Sequence, residues 1–207
     1  LPLGNKQGSV RGAIVIHENR NNLMEEAFRS LRTNLLFMLK PEDKVIMITS
    51  SQPSDGKSFV AGNLAVSMAY LGKRVIIIGL DIRKAGLDKV FGLDSHTPGI
   101  TNYLTQPDDS DWKEWILPSE ISPNLDIFPR GNIPPNPTEL VSRPKLDELI
   151  RQLKEEYDYV ILDTAPIAMV TDTSIISRVA DLCVYVCRAD HTPKAAFQFI
   201  HTLKEQT

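Results

Sequence analysis

The segment from Ser50 to Ser58 constrains the fold of this chain more than any other. It follows the apolar run Val45-Ile46-Met47-Ile48, which is typical of a buried strand, and it leads into a helical pattern that begins at Lys57. A strand, a tight loop and a helix in this order bring backbone N–H groups, a lysine and a helix N-terminus to one point. Such a loop binds polyphosphate, and the Ser58 hydroxyl is free to bind Mg²⁺. The sequence therefore predicts a site for ATP or GTP.

The loop departs from the usual pattern G-x-x-x-x-G-K-S/T at its first position, where this chain has Ser51. Ser54 also stands where a glycine is often found, which should restrict the backbone angles there without removing an N–H donor. An ordinary strand-to-helix turn with an incidental lysine is the alternative interpretation. The predicted nucleotide-binding residues are Ser54, Asp55, Gly56, Lys57, Ser58 and Phe59.

Short β-branched runs alternate with helical patterns along most of the chain. The runs predicted as buried strands are Lys44 to Thr49, Arg74 to Leu80, Leu125 to Phe128, Tyr159 to Leu162 and Leu182 to Val186. The predicted helices are Lys57 to Leu71, Thr138 to Glu156, Thr171 to Val179 and Pro193 to Leu203. Nearly continuous apolar strands between helices indicate a mostly parallel sheet covered on both faces. The predicted fold class is α/β, a doubly wound sheet of the P-loop NTPase type with ligands at the carboxyl ends of the strands.

The stretch from Gly92 to Pro123 has weak periodicity and is predicted to be a peripheral crossover, with Trp112 and Trp115 as packing anchors. A length of 207 residues suits one large domain. The formal net charge of −3 gives no reason to expect nucleic acid as a partner. No window reaches the roughly 18 to 20 apolar residues of a membrane span.

The cysteines and histidines show no spacing typical of a metal site. Cys183 and Cys187 lie four residues apart in a predicted strand, a separation of about 13 Å that excludes a disulfide. They are expected to be small buried residues in a reducing compartment, so the chain is predicted to be cytoplasmic. The four histidines, expected to be surface or packing residues, are His17, His96, His191 and His201.

Two acidic residues follow predicted strands whose ends should meet the phosphate loop. Asp163 comes directly after four apolar residues, a pattern typical of a Walker B strand, and is predicted to hold Mg²⁺. Asp81 follows the strand that ends at Leu80, and it suits a proton acceptor for an attacking hydroxyl. Arg83 lies two residues further on and could steady Asp81 or screen phosphate charge; a simple surface ion pair between the two is the alternative.

These segments together resemble the bacterial tyrosine kinases of capsule and exopolysaccharide systems, which use a P-loop ATPase fold. The resemblance runs from about Glu25 to about Asp190. It rests on the loop ending Gly56-Lys57-Ser58, the strand ending Asp81-Ile82-Arg83, the strand ending at Asp163 and the proline-rich Pro134-Pro135-Asn136-Pro137-Thr138-Glu139-Leu140. It implies ATP and Mg²⁺ as cofactors, catalysis by Lys57, Asp81 and Arg83, and metal binding by Ser58, Asp81 and Asp163.

A further segment, from Glu26 to Leu35, resembles the subunit-contact helix E-x2-R-x2-R of the same family. Helical geometry is expected to place the charged residues Glu26, Arg29 and Arg32 on one exposed stripe. The other stripe should carry the apolar residues Leu23, Ala27, Leu31 and Leu35. The resemblance implies self-association into a ring, an octamer, through these arginines; a merely solvated charged stripe is the alternative.

The resemblance also carries expectations about the rest of the protein. Residues 1–207 are predicted to be one P-loop kinase domain, with 1–22 an N-terminal extension and 23–40 the contact helix. This domain is expected to be part of a longer, membrane-anchored chain at the cytoplasmic face, with a transmembrane adaptor or a fused N-terminal membrane domain. A tyrosine phosphatase is the other implied partner. The acceptor tyrosine cluster, phosphorylated in trans, is expected beyond Thr207.

One departure from the family bears on mechanism. Its second strand usually ends in two acids, D-x-D, whereas this chain has Gly79-Leu80-Asp81. Asp81 is then expected to act alone, or water and Asp163 complete the metal shell. Two other functions stay open: a partition-type ATPase switch, whose signature lysine would fall at Gln52, and a nucleotide-binding scaffold with weak catalysis.

Overall fold

The structure is a computed structural model, and it describes residues 13–18, 22–94, 96–167 and 171–196. The strands are β1 Val45–Ser50, β2 Val75–Leu80, β3 Leu117–Pro118, β4 Leu125–Phe128, β5 Tyr159–Thr164 and β6 Leu182–Val186. The helices are α1 Leu23–Met38, α2 Lys57–Ala69, α3 Gly86–Phe91, α4 Ile100–Thr105, α5 Pro137–Ser142, α6 Pro144–Glu156 and α7 Thr171–Ile176. Short 3₁₀ turns lie at Trp112–Trp115 and Ser177–Val179.

The described strands form one sheet in the order β3-β4-β2-β5-β1-β6, and all neighbouring pairs are parallel except β3 with β4. The central strands β1, β2 and β5 are apolar and almost wholly buried because helices cover both faces. This arrangement confirms the predicted α/β, doubly wound, mostly parallel fold. It also brings the carboxyl ends of β1, β2 and β5 side by side, with Asp163 opposite both Ile48 and Gly79.

Two apolar cores lie on the two faces of the sheet. Alternate residues of β2 separate them, with Ile76, Ile78 and Leu80 in one core and Val75 and Ile77 in the other. The first core is covered by α4 to α7, and Trp112 is buried in it, as its predicted role of packing anchor requires. The second core is covered by α1, α2 and α3, and it holds the fully buried Phe28.

Some predicted helices differ from those in the structure. The predicted helix from Thr138 to Glu156 is two helices, because Arg143 precedes Pro144 and adopts an extended conformation with φ −66° and ψ 143°. The predicted crossover from Gly92 to Pro123 contains α4 and the short strand β3, neither of which the weak periodicity indicated. The predicted helix from Pro193 to Leu203 lies mostly outside the described residues.

The expectation that Cys183 and Cys187 are buried is wrong. Both are exposed, because β6 occupies one end of the strand order and pairs with β1 along a single edge within the described sheet. An apolar run alone does not distinguish a central strand from one at the sheet's end. Among the described residues, no helix is long and apolar enough to cross a membrane.

Candidate active site

The phosphate loop joins the end of β1 to the start of α2. Two of its residues have left-handed backbone angles: Ser54 with φ 70° and Gly56 with φ 99°. Gly56 precedes the first helical residue, Lys57, and no side chain caps the N-terminus of α2. The first N–H groups of a 13-residue helix are therefore available to an anion, and the helix dipole favours one there.

Lys57 and Asp81 meet at the carboxyl end of β2. The Lys57 Nζ lies 2.8 Å from the Asp81 Oδ2, and the two side chains are only 10% and 3% exposed. The pair forms because Lys57 begins α2 just after β1, and Asp81 follows β2, which is separated from β1 in the sheet only by β5. The long lysine side chain reaches across the end of β5. Asp81 thus pairs with Lys57. The alternative interpretation, in which Asp81 forms a surface ion pair with Arg83, is therefore wrong.

Asp163 is fully buried near the end of β5, in the strand that separates β1 from β2. Neither of its carboxylate oxygens has a hydrogen bond of ordinary geometry among the described residues, although the Ser58 hydroxyl lies near them. Burial raises the pKa of Asp163 to about 7; the charge of Lys57 and the Ser58 hydroxyl oppose this rise, and Asp81 adds to it. A buried carboxylate so weakly satisfied is costly to the fold, so its oxygens are well suited to bind a cation.

Ser58 and Gly86 close the space in front of Asp163. A Cβ built on Gly86 would lie 2.3 Å from the Ser58 Oγ and 3.8 Å from an Asp163 oxygen. Only glycine therefore lets α3 begin this close to the phosphate loop. No local pattern in the sequence indicated Gly86, because the contact joins the first turns of two different helices, α2 and α3.

These groups surround a cleft of about 490 Å³. The predicted site residues that line it are Ser54, Gly56, Lys57, Ser58, Phe59, Asp81 and Arg83. Residues that the sequence analysis did not single out also line it, among them Lys84, Gly86, Lys89 and Pro166. Four of the lining side chains are lysines or arginines, so the cleft suits a polyanion. Asp163 lies behind Ser58 and Gly86 rather than in the cleft wall.

The donor set fits ATP with Mg²⁺. Mg²⁺ is usually held by one or two carboxylates together with substrate phosphates and water, rather than by a cage of protein ligands. The described residues contain no group of three or more His, Cys, Asp or Glu side chains arranged to hold a metal. The hydroxyl of Ser58 and the carboxylates of Asp163 and Asp81, the predicted metal-binding residues, are the protein groups near this position, and Asp81 already pairs with Lys57.

Arg83 contacts residues other than those the sequence suggested. Its Nε and Nη2 donate to the two oxygens of Asp172 at 2.8 and 3.2 Å, and its side chain is 44% exposed at the cleft. Thr138, from the proline-rich segment, also donates to Asp172. Burial alone would raise the pKa of Asp172, but these hydrogen bonds lower it. Arg83 therefore ties the turn after β2 to α5 and α7 and does not contact Asp81.

Gly79 packs against the chain just after β4. A Cβ at this position would lie 3.0 Å from the backbone nitrogen of Arg130 and 3.3 Å from its Cα. Next to it, the Arg130 side chain lies 3.9 Å from the carboxylate of the buried Asp88. A first acid of D-x-D would thus require this backbone to shift by a few tenths of an ångström.

Asp55 is a predicted nucleotide-binding residue whose side chain does not line the cleft. Its carboxylate is fully buried and accepts hydrogen bonds from the loop itself and from residues that follow β6. Only its backbone remains available to a ligand. The sequence offered no signal for this, because the partners lie far along the chain.

The predicted contact stripe on α1 is only partly exposed. Glu26 and Arg29 are exposed and pair with each other at 2.6 Å. Arg32 instead lies half-buried in line with Phe28 and Leu35, and its Nη1 donates to the backbone oxygen of Ser67 at 2.6 Å. The expectation of one exposed Glu/Arg stripe is therefore wrong for Arg32. Leu23, expected on the apolar stripe, is 73% exposed.

Comparison with known proteins gives consistent matches. A protein-family model described as an AAA domain matches residues 43–206. Tyrosine-protein kinase YwqD of Bacillus subtilis is 36% identical over 92% of this chain and 79% of its own length. Tyrosine-protein kinase wzc of Salmonella typhimurium is 38% identical over 82% of this chain, which spans only 23% of that longer protein.

A solved structure agrees with these relatives. The kinase domain of the Escherichia coli tyrosine kinase ETK is 31% identical and superposes with a TM-score of 0.80 over 87% of this chain and 70% of that domain. Sequence and structure thus identify the same group over most of the chain. The chain belongs to the AAA domain family and, within it, to the bacterial tyrosine-protein kinases.

Proposed function

We propose that this domain transfers the γ-phosphoryl group of ATP to the hydroxyl of a tyrosine. One observation carries the proposal: Lys57 and Asp81 form a buried pair that lines a single cleft at the carboxyl ends of neighbouring strands, and Asp163 lies directly behind the cleft wall. The names of its relatives, which are tyrosine-protein kinases, supply the acceptor.

The roles of the residues follow from their positions. The uncapped N–H groups of α2 and the ammonium of Lys57 would bind the phosphates, and Ser58 and Asp163 would hold the metal. Bound Mg²⁺ neutralises charge that develops on the phosphate oxygens. Asp81 would orient the tyrosine and accept the proton of its Oη, since a phenol with a pKa near 10 is protonated at neutral pH. Arg83, fixed by Asp172, would present its exposed face to the phosphates.

The acceptor is proposed to be a tyrosine outside the described fold, in a C-terminal cluster phosphorylated in trans. All five tyrosines of this sequence lie in described segments, and none is exposed. Tyr103 and Tyr157 are buried, and the Tyr157 hydroxyl donates to Asp126 at 2.7 Å. A tyrosine held in this way cannot reach a neighbouring cleft.

The wider setting is also a proposal. One relative, from Klebsiella pneumoniae, is named as a putative tyrosine-protein kinase in a cps region, and this chain spans only about a quarter of that relative and of wzc. We therefore propose that the domain acts at the cytoplasmic face of a membrane, through a fused membrane domain or an adaptor, and that it regulates polymerisation and export of capsular or exopolysaccharide. Self-association into an octameric ring and reversal by a tyrosine phosphatase belong to the same proposal.

The test uses the protein with ATP, Mg²⁺ and a peptide copolymer of glutamate and tyrosine. Wild-type protein should produce phosphotyrosine, and Lys57→Met and Asp81→Ala should not. Phosphotyrosine formed at the wild-type rate by purified Lys57→Met would contradict the proposed site. Lys73→Met, which changes a lysine outside the cleft, is the matched control.

Two other outcomes would favour the alternatives. ATP hydrolysis without phosphotyrosine, together with ATP-dependent dimers, would indicate a partition-type switch. The side chain of Gln52, where such a switch has its signature lysine, is bound here to His191 instead. Tight nucleotide binding without turnover would indicate a scaffold, which the lack of an acid at Gly79 makes worth testing.

A further inference from the structure

The carboxylate of Asp55 points away from the cleft and into the segment that follows β6. One oxygen accepts from the Thr192 Oγ1 at 2.7 Å and lies 3.0 Å from the His191 Nδ1. The other accepts from the Ser51 hydroxyl at 3.2 Å and from the Gln52 backbone N–H at 3.2 Å. Thr192, Ser51 and Gln52 donate to this buried carboxylate, and the His191 Nδ1 donates to it in the tautomer that carries a proton on that nitrogen.

The same segment contacts the phosphate loop at two more places. The amide of Gln52 donates to the backbone oxygen of His191 at 2.8 Å. The guanidinium of Arg188 donates to the backbone oxygen of Ser54 at 3.3 Å. We call residues 188–192 the brace. It holds the loop at three residues, although more than 130 positions separate the two segments in the sequence.

The loop needs such support because of its backbone geometry. Asp55 lies between Ser54 and Gly56, whose φ angles are 70° and 99°. Glycine adopts the left-handed region without cost, but serine does not. A strained conformation persists only where surrounding contacts hold it, and it is common at ligand sites. The hydrogen bonds to the Asp55 carboxylate therefore fix the chain between Ser54 and Gly56, the two residues whose left-handed angles give the loop its shape.

We propose that Asp55, His191 and Thr192 are positioning residues that hold the phosphate loop in its anion-binding conformation. They lie behind the loop, so they would act on nucleotide affinity and not on the acceptor tyrosine. The inference rests on the proposed function in one respect, which is that the loop binds the nucleotide phosphates. His191, expected from the sequence to be a surface or packing residue, would thereby help to position the phosphate loop.

The experiment compares Thr192→Val with Thr192→Ser, because valine keeps the shape of the side chain and removes the donor, whereas serine keeps the donor. Affinity for ADP is measured by titration with a fluorescent ADP analogue, below the melting temperature of every variant. We expect Thr192→Val to bind about tenfold more weakly and Thr192→Ser within about twofold of wild type. His96→Ala, an exposed histidine elsewhere, is the control and should bind as wild type does.

Two further measurements separate positioning from general stability. Gln52→Ala weakens the contact from the loop side and should reduce ADP affinity about threefold. In the tyrosine-copolymer assay, Thr192→Val should raise the KM for ATP while leaving kcat and the KM for the copolymer unchanged. Loss of kcat with an unchanged KM for ATP would overturn the positioning role.

Other outcomes are equally decisive. Wild-type ADP affinity in Thr192→Val, or equal weakening in Thr192→Ser and Thr192→Val, would overturn the inference. Should all proteins, wild type included, fail to phosphorylate tyrosine while ADP affinity changes as expected, the proposed function would be wrong and the positioning role would stand.

Discussion

The cleft and the outer face of α1 both carry charges that the sequence singles out, yet their surroundings are opposite. At the cleft, Lys57 and Asp81 line the wall and Asp163 lies behind it; all three are buried, and Asp163 has no hydrogen bond of ordinary geometry in the described part of the chain. On α1, Glu26 and Arg29 are about half exposed and already satisfy each other. Buried charge opposes folding, so its presence indicates a ligand, whereas exposed paired charge indicates nothing further.

Replacement of Lys57 by methionine should give the largest effect. It removes the cation beside Asp81 and Asp163 and leaves two buried acids without a counter-charge. We expect the free energy of unfolding at pH 8 to fall by about 3–5 kcal/mol, together with loss of ADP binding. Urea unfolding and nucleotide titration measure these effects. Lys73→Met, outside the cleft, should change stability by less than about 0.5 kcal/mol and leave ADP binding unchanged. Equal losses in both variants would show that the buried position of Lys57 is not what matters.

Replacement of Gly79 by aspartate tests whether the missing acid can be restored. The new Cβ would meet the backbone of Arg130 at 3.0 Å, and the carboxylate would be buried. We expect a loss of about 2–4 kcal/mol in unfolding free energy and no gain in tyrosine phosphorylation. Gly79→Ala is the control that adds the Cβ without the charge, and it should lose less. A more active, equally stable Gly79→Asp would show that the space is adaptable.

Asp163→Asn should stabilise the protein measured without Mg²⁺ or nucleotide, at the expense of activity. The pKa of Asp163 is raised to about 7 in the fold, above its ordinary value of 3.8, so the folded state binds this proton more tightly than the unfolded state. Its contribution to the free energy of unfolding therefore falls as pH rises from about 4 to about 7. Asparagine removes this dependence, and we expect a gain of roughly 1–3 kcal/mol at pH 8 and none at pH 4. Thermal unfolding of both proteins across this pH range measures the difference in stability. If wild type and Asp163→Asn show the same pH dependence, burial does not raise the pKa of Asp163 and the prediction is wrong.

Arg29→Ala should have the smallest effect on stability, less than about 0.5 kcal/mol, because its ion pair with Glu26 is exposed. Arg32→Ala should cost about 1 kcal/mol more, since it removes a half-buried hydrogen bond to Ser67. Unfolding measurements on both variants give the comparison, and equal values would contradict it. A fall in solution mass for Arg29→Ala at unchanged stability would support the proposed subunit contact.

Much of the fold could be predicted because its signals are local. Apolar runs located β4 and β6 with their observed bounds, and the order of strands and helices indicated the sheet. The rule that ligands meet the ends of parallel strands was enough to bring Lys57, Asp81 and Asp163 together. Their catalytic and metal-binding roles stay predictions.

The remainder depends on contacts between distant residues. The partners of Asp55 that follow β6 lie 136 and 137 positions away, and the fit of Gly86 against Ser58 exists only once the N-termini of α2 and α3 have met. Arg83 likewise pairs with Asp172, 89 residues away, and not with Asp81, two residues before it. Periodicity and motif spacing carry no information about such pairs.

The contact between Gly79 and the backbone of Arg130 also sets a rule for how this protein can diverge. A side chain at position 79 requires the backbone of Arg130 to give way by a few tenths of an ångström, so the two positions should not vary independently. Among related sequences, an acid at position 79 is expected to accompany a different local path or residue near position 130, and substitutions at the two positions should be coupled rather than additive.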